Sequence, residues 1–358
     1  MLKYALGIDI SKKDIHACLS VIDSRQQVKV KASSKFANRG QGFKDLILWV
    51  RRHKKEADVP LVIAMEATGV YYEACALFLF KNGFEVAVVL PNKGKKYLQA
   101  VGLKTKNDKI DAAGLARMGA EQCLELWQPM DEFFYTLRAL TRHYQSLQEF
   151  KTNINKQLHA DEYSIYSSKK VTKQLKRLIT GIEKQLKEIE QDIHDHLYSN
   201  TTVAEKINHI TDVKGVGYMT VATVLGETNG FVLFKSAAQL VSYAGYDVIE
   251  DQSGNHQGKT KISKKGNSHI RRAMHLPAFN MIRYDVGNFK PFFERILERH
   301  HQKMKAYVAV QKKLLVLIYT LWKKNEEFNP NQINTSGNED TKPSFALTRK
   351  GQNEVAPA

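Results

Sequence analysis

Cysteine is scarce in this sequence, acidic residues are outnumbered, and no long apolar run interrupts it. Each shortage removes a class of protein. The three cysteines, Cys18, Cys75 and Cys123, are widely spaced and odd in number. They offer neither a disulfide framework nor zinc-ligand spacing, and so read as reduced thiols of a cytosolic protein. No apolar stretch reaches the ~18 residues that a membrane span needs. The opening MLKYALGIDIS meets an acid at Asp9 and reads as neither a signal peptide nor an anchor. Asp and Glu number 37 against 54 Lys and Arg, a net charge of +17. A surplus of that size calls for a polyanionic partner. Nucleic acid in the cytoplasm is therefore the expected partner class, with no membrane.

What is present is ordinary globular material. The 358 residues are 43% hydrophobic and 25% charged, enough for two or three domains with a sizeable core. Lys3 to Asp9 reads as a buried strand ending at an acid, and Ile15–Ile22 and Gln27–Ala32 read as two further strands of a meander. A helix follows from Gly42 to Arg52. Pro60 then opens LVIAMEATG, an apolar run ending at Glu66 and broken at Gly69. A helix at Tyr71–Lys81, a strand at Phe84–Leu90, Lys-rich connections and a helix from Asp108 complete a mixed α/β domain over residues 1–125.

The character then changes. Residues 126–200 are long, polar and helical, with Leu175, Ile179, Ile182, Leu186, Ile189, Ile193 and Leu197 forming a near-heptad seam. That seam fits packing within its own domain as well as it fits a dimerising coiled coil. Residues 201–325 read as a mainly helical domain. Within it, Gly215 and Gly217 separate two helical stretches in a helix-hairpin-helix-like element, which can aim backbone N–H groups at a phosphate or simply form a tight turn. Residues 303–324 form an apolar helix, and 326–358, rich in Asn, Ser, Gly and Pro, read as a disordered tail.

Two constellations could carry chemistry. The first is acidic: Asp9 and Glu66 at two strand ends, then Asp108 and Asp111, three apart and on one face of a helix. Clustered carboxylates repel, and a divalent cation is the usual compensation; hard oxygen donors suit Mg²⁺ or Mn²⁺. Each acid alone also fits a helix cap or first-turn position. Lys93, Lys95, Lys96, Lys104, Lys106 and Lys109 surround a single acid, Asp108, as suits a phosphate backbone or a solvated charged face. The second constellation is basic. From His256 to His275 there are six cations, Lys259, Lys261, Lys264, Lys265, Arg271 and Arg272, and no acid. Ser253 precedes them in a Ser-Gly step on an expected exposed loop, placed either as a nucleophile in a positive surround or as an ordinary turn residue.

Together these motifs resemble the DEDD transposases of bacterial insertion sequences, the insertion-sequence-110 family. The resemblance spans about residues 1–325 and rests on GIDIS, AMEATGVYYE, KTKNDKIDAAGLA, KGVGYMTVATVLGE, LVSYAGYDVIEDQSG and ISKKGNSHIRRAM in that order. One departure is Asp247-Val248, near where members often carry proline. The resemblance implies an α/β RNase H-like domain of the Holliday-junction-resolvase type, a coiled-coil middle and a mainly α C-terminal transposase domain. It implies Asp9, Glu66, Asp108 and Asp111 as a metal-binding tetrad and Ser253 as a nucleophile forming a phosphoserine link to DNA. It also implies a structured guide RNA from the element, double-stranded DNA as element ends and target, a homo-oligomer (dimer or tetramer) and a bacterial, nucleoid-associated location.

Three other readings compete. A metal-dependent junction resolvase or nuclease would use water instead of Ser253. A sugar-kinase-like phosphotransferase also opens on GID, but it requires a Gly-rich loop after the acid, where Ser11, Lys12 and Lys13 stand instead. A basic scaffold without catalysis would bind nucleic acid and tolerate loss of Asp9.

Overall fold

The computed structural model describes residues 1–102, 107–250, 252–253, 256–258 and 261–329, with backbone alone at 252–253 and 256–257. Lys104, Lys106, Lys259 and residues 330–358 of the expected tail lie outside the described residues. The chain divides into two compact units, Met1–Pro129 and Met130–Ala358.

In the first unit, β1 (Lys3–Ile10), β2 (Asp14–Ile22) and β3 (Val28–Ala37) form an antiparallel meander. Next come α1 (Gly40–His53), β4 (Leu61–Glu66), α2 (Glu73–Lys81), β5 (Glu85–Val89), α3 (Pro91–Ala100) and α4 (Asp108–Glu121). The sheet order is β3-β2-β1-β4-β5, with β4 parallel to β1 and β5 parallel to β4. An antiparallel meander continued by parallel strands is the RNase H-like arrangement expected from the resemblance.

Strand alternation builds a layer on each face of this sheet. Tyr4, Leu6, Ile8 and Ile10 pack with Phe43, Leu46, Ile47 and Val50 of α1 and with Cys75, Ala76 and Leu79 of α2. The intervening Ala5 packs with Val62, Ala64, Leu115 and Met118, on the α4 side. Burying each such Leu, Ile or Val stabilises the fold by about 1.5–3 kcal/mol.

Two elements depart from the sequence expectation. β3 runs to Ala37 instead of stopping at Ala32, because Ser33, Ser34, Lys35 and Phe36 continue the ladder against Cys18, Ala17, His16 and Ile15. At a sheet edge the backbone pairing carries a strand whose side chains give no apolar signal. The Lys-rich connection contains the helix α3, which starts with Pro91 at its first turn, where a missing N–H costs nothing.

The second unit is mainly helical. It comprises α5 (Glu132–Glu162), α6 (Lys169–Tyr198), α7 (Thr201–Thr211), α8 (Tyr218–Thr228) and α9 (Ala237–Tyr243). Four two-residue strands follow, β6 (Val248–Ile249), β7 (Gln252–Ser253), β8 (His256–Gln257) and β9 (Lys261–Ile262). The unit ends with α10 (Ser268–Ala273), α11 (His275–Arg283), α12 (Phe289–His300) and α13 (Lys303–Lys324). One core gathers Leu137 and Leu147 of α5, Leu186, Ile189, Ile193 and Leu197 of α6, Val221 and Leu225 of α8, and Val310, Leu314 and Ile318 of α13. The seam of α6 is thus used inside the chain, against α5. Ion pairs Lys151–Glu183 (2.8 Å) and Lys176–Glu162 (3.3 Å) fix the two helices as an antiparallel hairpin. No helix among the described residues is long and apolar enough to cross a membrane.

Candidate active site and serine hairpin

The acidic site follows from which face of β1 each residue takes. Odd positions Ala5, Gly7 and Asp9 face α4, and the first two are small. A Cβ on Gly7 would lie 2.0 Å from the Ala112 carbonyl oxygen and 2.1 Å from the Ala116 nitrogen. One on Gly119 would lie 3.2 Å from the Ala5 Cβ. The helix backbone therefore rests directly on the strand, with Gly119 above Ala5 and Ala112 and Ala116 above Gly7. Continuing one step along the strand and one turn back along the helix brings Asp108 and Asp111 to the Asp9 end. Glu66 arrives there by register: β1 and β4 pair in parallel as far as Ile8↔Met65, and the next residue of each strand is the acid.

The electrostatics report the same convergence. The Asp9 carboxyl is pushed up from 3.8 to about 6, first by burial and then by the charges of Asp108, Asp111 and Glu66. His16 opposes this shift. It is the cross-strand partner of Asp9, and its Nε2 lies 3.6 Å from Asp108 Oδ2. Sequence reasoning missed His16; the signal available was the tight turn at Ser11–Lys13, which sets the register of the hairpin. Asp108 opens α4 after the cap Asn107, whose side chain accepts from the Ile110 N–H at 2.9 Å. Asp108 is therefore not the cap itself and keeps its carboxylate free of that duty. Among the described residues no group of three His, Cys, Asp or Glu side chains is close enough to hold one ion. The acids line a common edge without closing into a cage. Their donor chemistry, hard oxygens whose mutual repulsion adds to burial in raising Asp9, fits a divalent cation.

The lysines around this edge divide by element. Lys93, Lys95 and Lys96 are exposed on α3, on either side of Gly94. A Cβ on Gly94 would approach Glu66 Oε2 to 3.3 Å, so this glycine lets α3 lie beside the carboxylate. Lys109 is exposed on the first turn of α4.

In the second unit, Ser253 is the last residue of β7, whose ladder Gln252↔Gln257 and Ser253↔His256 makes a hairpin arm. The arm continues a second short ladder, Val248↔Ile262 and Ile249↔Lys261. Where an exposed loop was expected, the serine thus sits on paired backbone. The neck of this hairpin is tightly clasped. Gly245 has φ +74°, and a Cβ on Gly266 would lie 2.4 Å from the Tyr243 carbonyl oxygen and 2.5 Å from the Gly245 nitrogen. The Ser263 hydroxyl donates to Asp247 Oδ1 at 2.5 Å, and the Ser263 N–H donates to the Asp247 carbonyl at 2.8 Å. The Asp247 carboxylate, at the departure from the family pattern, is thus part of the clasp.

Beneath the neck lies an ion pair to a buried carboxylate that no local motif announces. Glu227, with a side chain 1% exposed, accepts from Arg142 Nε (2.6 Å) and Nη2 (2.9 Å) and from Asn267 Nδ2 (2.6 Å). The basic run itself splits. Lys261, Lys264 and Lys265 are exposed. Arg271 donates to the Ala244 carbonyl at 2.8 Å and so serves the fold, and Arg272 pairs with Glu149 at the surface. Gly215 takes φ +96° against Asn280 of α11, a position where a Cβ would meet Asn280 Cβ at 2.8 Å. Gly217 caps the N-terminus of α8.

Comparison with known proteins covers both units. A family model described as transposase, of the DEDD IS110 type, matches residues 6–161. A second, described as transposase IS116/IS110/IS902 family, matches residues 207–294. The pilin gene-inverting proteins of Moraxella bovis and Moraxella lacunata are each 27% identical over 330 residues, 92% of this chain and 98% of theirs. The transposase for insertion sequence element IS1111A of Coxiella burnetii is 22% identical across 79% of this chain and 85% of its own. Among solved structures, Thermus thermophilus RuvC covers 35% of this chain and 99% of that one, at 13% identity and a TM-score of 0.27. The same protein in complex with a Holliday junction substrate gives a TM-score of 0.26.

Proposed function

Because the chain belongs to the insertion-sequence-110 family of transposases and is a DNA recombinase of that class, we propose that it cuts and rejoins DNA strands through a phosphoserine intermediate at Ser253, assisted by Asp9, Glu66, Asp108 and Asp111. The observation that carries this reading is the convergence of the four acids at one sheet edge, where burial first and then the charges of Asp108, Asp111 and Glu66 push the Asp9 carboxyl up to about 6. Repulsion of that kind is relieved by a divalent cation. Mg²⁺ or Mn²⁺ bound there would supply Lewis-acid stabilisation to the oxygens of a phosphodiester.

The residues of this chain do the remaining work. Ser253 Oγ attacks the phosphorus, the Oγ–P bond forms, and the bond from phosphorus to the leaving strand's oxygen breaks. The serine proton is lost to a carboxylate or to solvent, and the departing strand ends in a hydroxyl. Attack by the hydroxyl of the incoming strand then restores a phosphodiester and frees the serine, so no external energy source enters. Lys93, Lys95, Lys96 and Lys109, and on the hairpin Lys261, Lys264 and Lys265, would neutralise backbone phosphates. The DNA partners would be element ends and target, selected by pairing with a structured guide RNA and held by a homo-oligomer.

The test is covalent trapping. Purified protein is mixed with labelled element-junction DNA and its flanking transcript in Mg²⁺, then denatured and resolved on a gel. The expected result is a protein–DNA adduct that disappears in both Ser253→Ala and Asp9→Ala. Cleaved DNA without an adduct, abolished by Asp9→Ala alone, would refute the serine step in favour of hydrolysis.

A further inference from the structure

The outer half of the α5–α6 hairpin is unused by the reaction above and has an unusual surface. Full burial ends at Leu147 on α5 and begins only at Leu186 on α6. Beyond Glu149, which pairs with Arg272 of α10, the hairpin extends about 20 Å at 1.5 Å per residue. From Tyr163 to Ile182 the chain carries Lys169, Lys170, Lys173, Lys176 and Arg177 and not one acid. Lys176 pairs with Glu162 at 3.3 Å. Lys169, Lys170, Lys173 and Arg177 are exposed and have no ion-pair partner among the described residues.

A groove of 720 Å³ runs along this face, lined by Lys169, Thr172, Lys173, Lys176 and Arg177, with one acid, Glu162, which Lys176 neutralises. Arg177 also borders a neighbouring hollow of 560 Å³ with Leu178 and Ile182 in its wall. At the tip, Tyr163 is 80% and Tyr166 93% exposed.

We propose that this hairpin end binds a single strand of nucleic acid, with the groove cations on successive phosphates and the two tyrosine rings stacked on unpaired bases. Three observations favour that occupant. The groove offers donors and positive charge, with Lys169, Lys173 and Arg177 free to neutralise phosphates and Lys170 exposed beside it. The exposed rings suit bases that are unstacked; a duplex keeps its bases stacked inside and leaves such rings without a partner. A second copy of this chain docked through the same face would set like charges against one another. The inference is independent of the role given to Ser253.

The test uses the full chain and a short fluorescent oligonucleotide without secondary structure, as RNA, as DNA and as DNA duplex, followed by anisotropy between about 50 and 200 mM salt. In Lys169→Gln/Lys173→Gln/Arg177→Gln, loss of three phosphate contacts should lower the salt slope for single strands by about 2, with at least a ~tenfold loss of affinity at the low-salt end. Tyr163→Ala/Tyr166→Ala, on surface positions that leave the fold intact, should weaken single-strand binding at least ~fivefold with the slope unchanged. Equal losses on RNA and DNA identify strand chemistry as the determinant, and a loss confined to RNA identifies RNA as the ligand; both uphold the inference. Wild-type single-strand affinity in both variants would overturn it. So would losses equal on duplex and single strand, or a changed oligomeric state by light scattering with single-strand affinity retained.

Discussion

Arg142→Met is the perturbation that most directly probes the support beneath the serine hairpin. It leaves the Glu227 carboxylate, 1% exposed, with Asn267 as its remaining side-chain donor. Breaking a buried pair costs ~3–5 kcal/mol; the Arg142 side chain is itself 46% exposed, so water can partly replace it and the low end, about 3 kcal/mol, applies. The chain divides into two compact units, so the readout must belong to the second. Trp322 is buried in that core, and the other tryptophans, Trp49 and Trp127, lie in the first unit. In a Trp49→Phe/Trp127→Phe background, Trp322 fluorescence during urea unfolding reports the second unit alone. Arg142→Met should then shift the midpoint by the equivalent of about 3 kcal/mol at unchanged slope. Arg142→Met/Glu227→Gln should recover more than half of it, because no unpaired charge is left. Burial pushes the Glu227 carboxyl up, but hydrogen bonds from Arg142 and Asn267 outweigh it and hold the group below its ordinary value of 4.5. A depressed folded pKa stabilises above the unfolded value and loses that contribution as pH falls through the folded one. The gap between wild type and Arg142→Met should therefore narrow below about pH 4. A single variant within ~1 kcal/mol of its parent, or a double variant no better than the single, would refute the reasoning.

Three further outcomes follow from the same contacts. Gly7→Ala drives a methyl into the backbone of α4 and should cost at least ~3 kcal/mol, read by urea unfolding followed with Trp49 and Trp127 fluorescence. Asp9→Asn should stabilise the metal-free protein at neutral pH by roughly 1 kcal/mol, the raised pKa being discounted for the solvent that reaches this half-buried group. The gain is complete above the folded pKa of about 6 and vanishes below the ordinary 3.8, because only the ionised carboxylate is penalised. Mg²⁺ should raise the melting temperature of the wild type and leave Asp9→Asn nearly unmoved, as thermal melts across pH with and without the ion would show. Gly266→Ala forces the hairpin neck apart and should cut adduct formation at least ~tenfold, while far-UV circular dichroism shows the helices retained.

The acidic edge was legible because its causes are local. A strand that runs into an acid announces itself, and so does a helix with two acids three apart. The stripe that seats α4 was present as well: Ala5 and Gly7 on one strand face and Ala112, Ala116 and Gly119 on one helix face are all small. Only the fold shows that the two stripes meet, and that meeting carries Asp108 and Asp111 to Asp9. His16 was missed for the complementary reason, since its place beside Asp9 depends on the hairpin register set by the Ser11–Lys13 turn and not on any feature of the histidine itself. The edge strand beyond Ala32 was missed because backbone pairing sustains it without an apolar pattern.

The second unit carried weaker local signals, and its organisation shows why. Arg142, Glu227 and Asn267 stand 85 and 40 residues apart along the chain, so no window of sequence contains their network. What the window around Ser253 does contain, a run of cations with no acid, conflates two jobs. Arg271 is bonded to the Ala244 carbonyl within the fold and Arg272 pairs with Glu149 at the surface, whereas Lys261, Lys264 and Lys265 face solvent. Charge composition alone counts all five as available for a phosphate backbone. The guanidiniums differ from the lysines because a planar, multi-donor head can bond a carbonyl or a carboxylate and still fill space against its neighbours. In this basic segment, therefore, the three lysines before α10 remain available to a phosphate backbone, and Arg271 on α10 is the one committed to the neck. Replacing the three lysines should weaken DNA binding with stability unchanged, and replacing Arg271 should first cost stability.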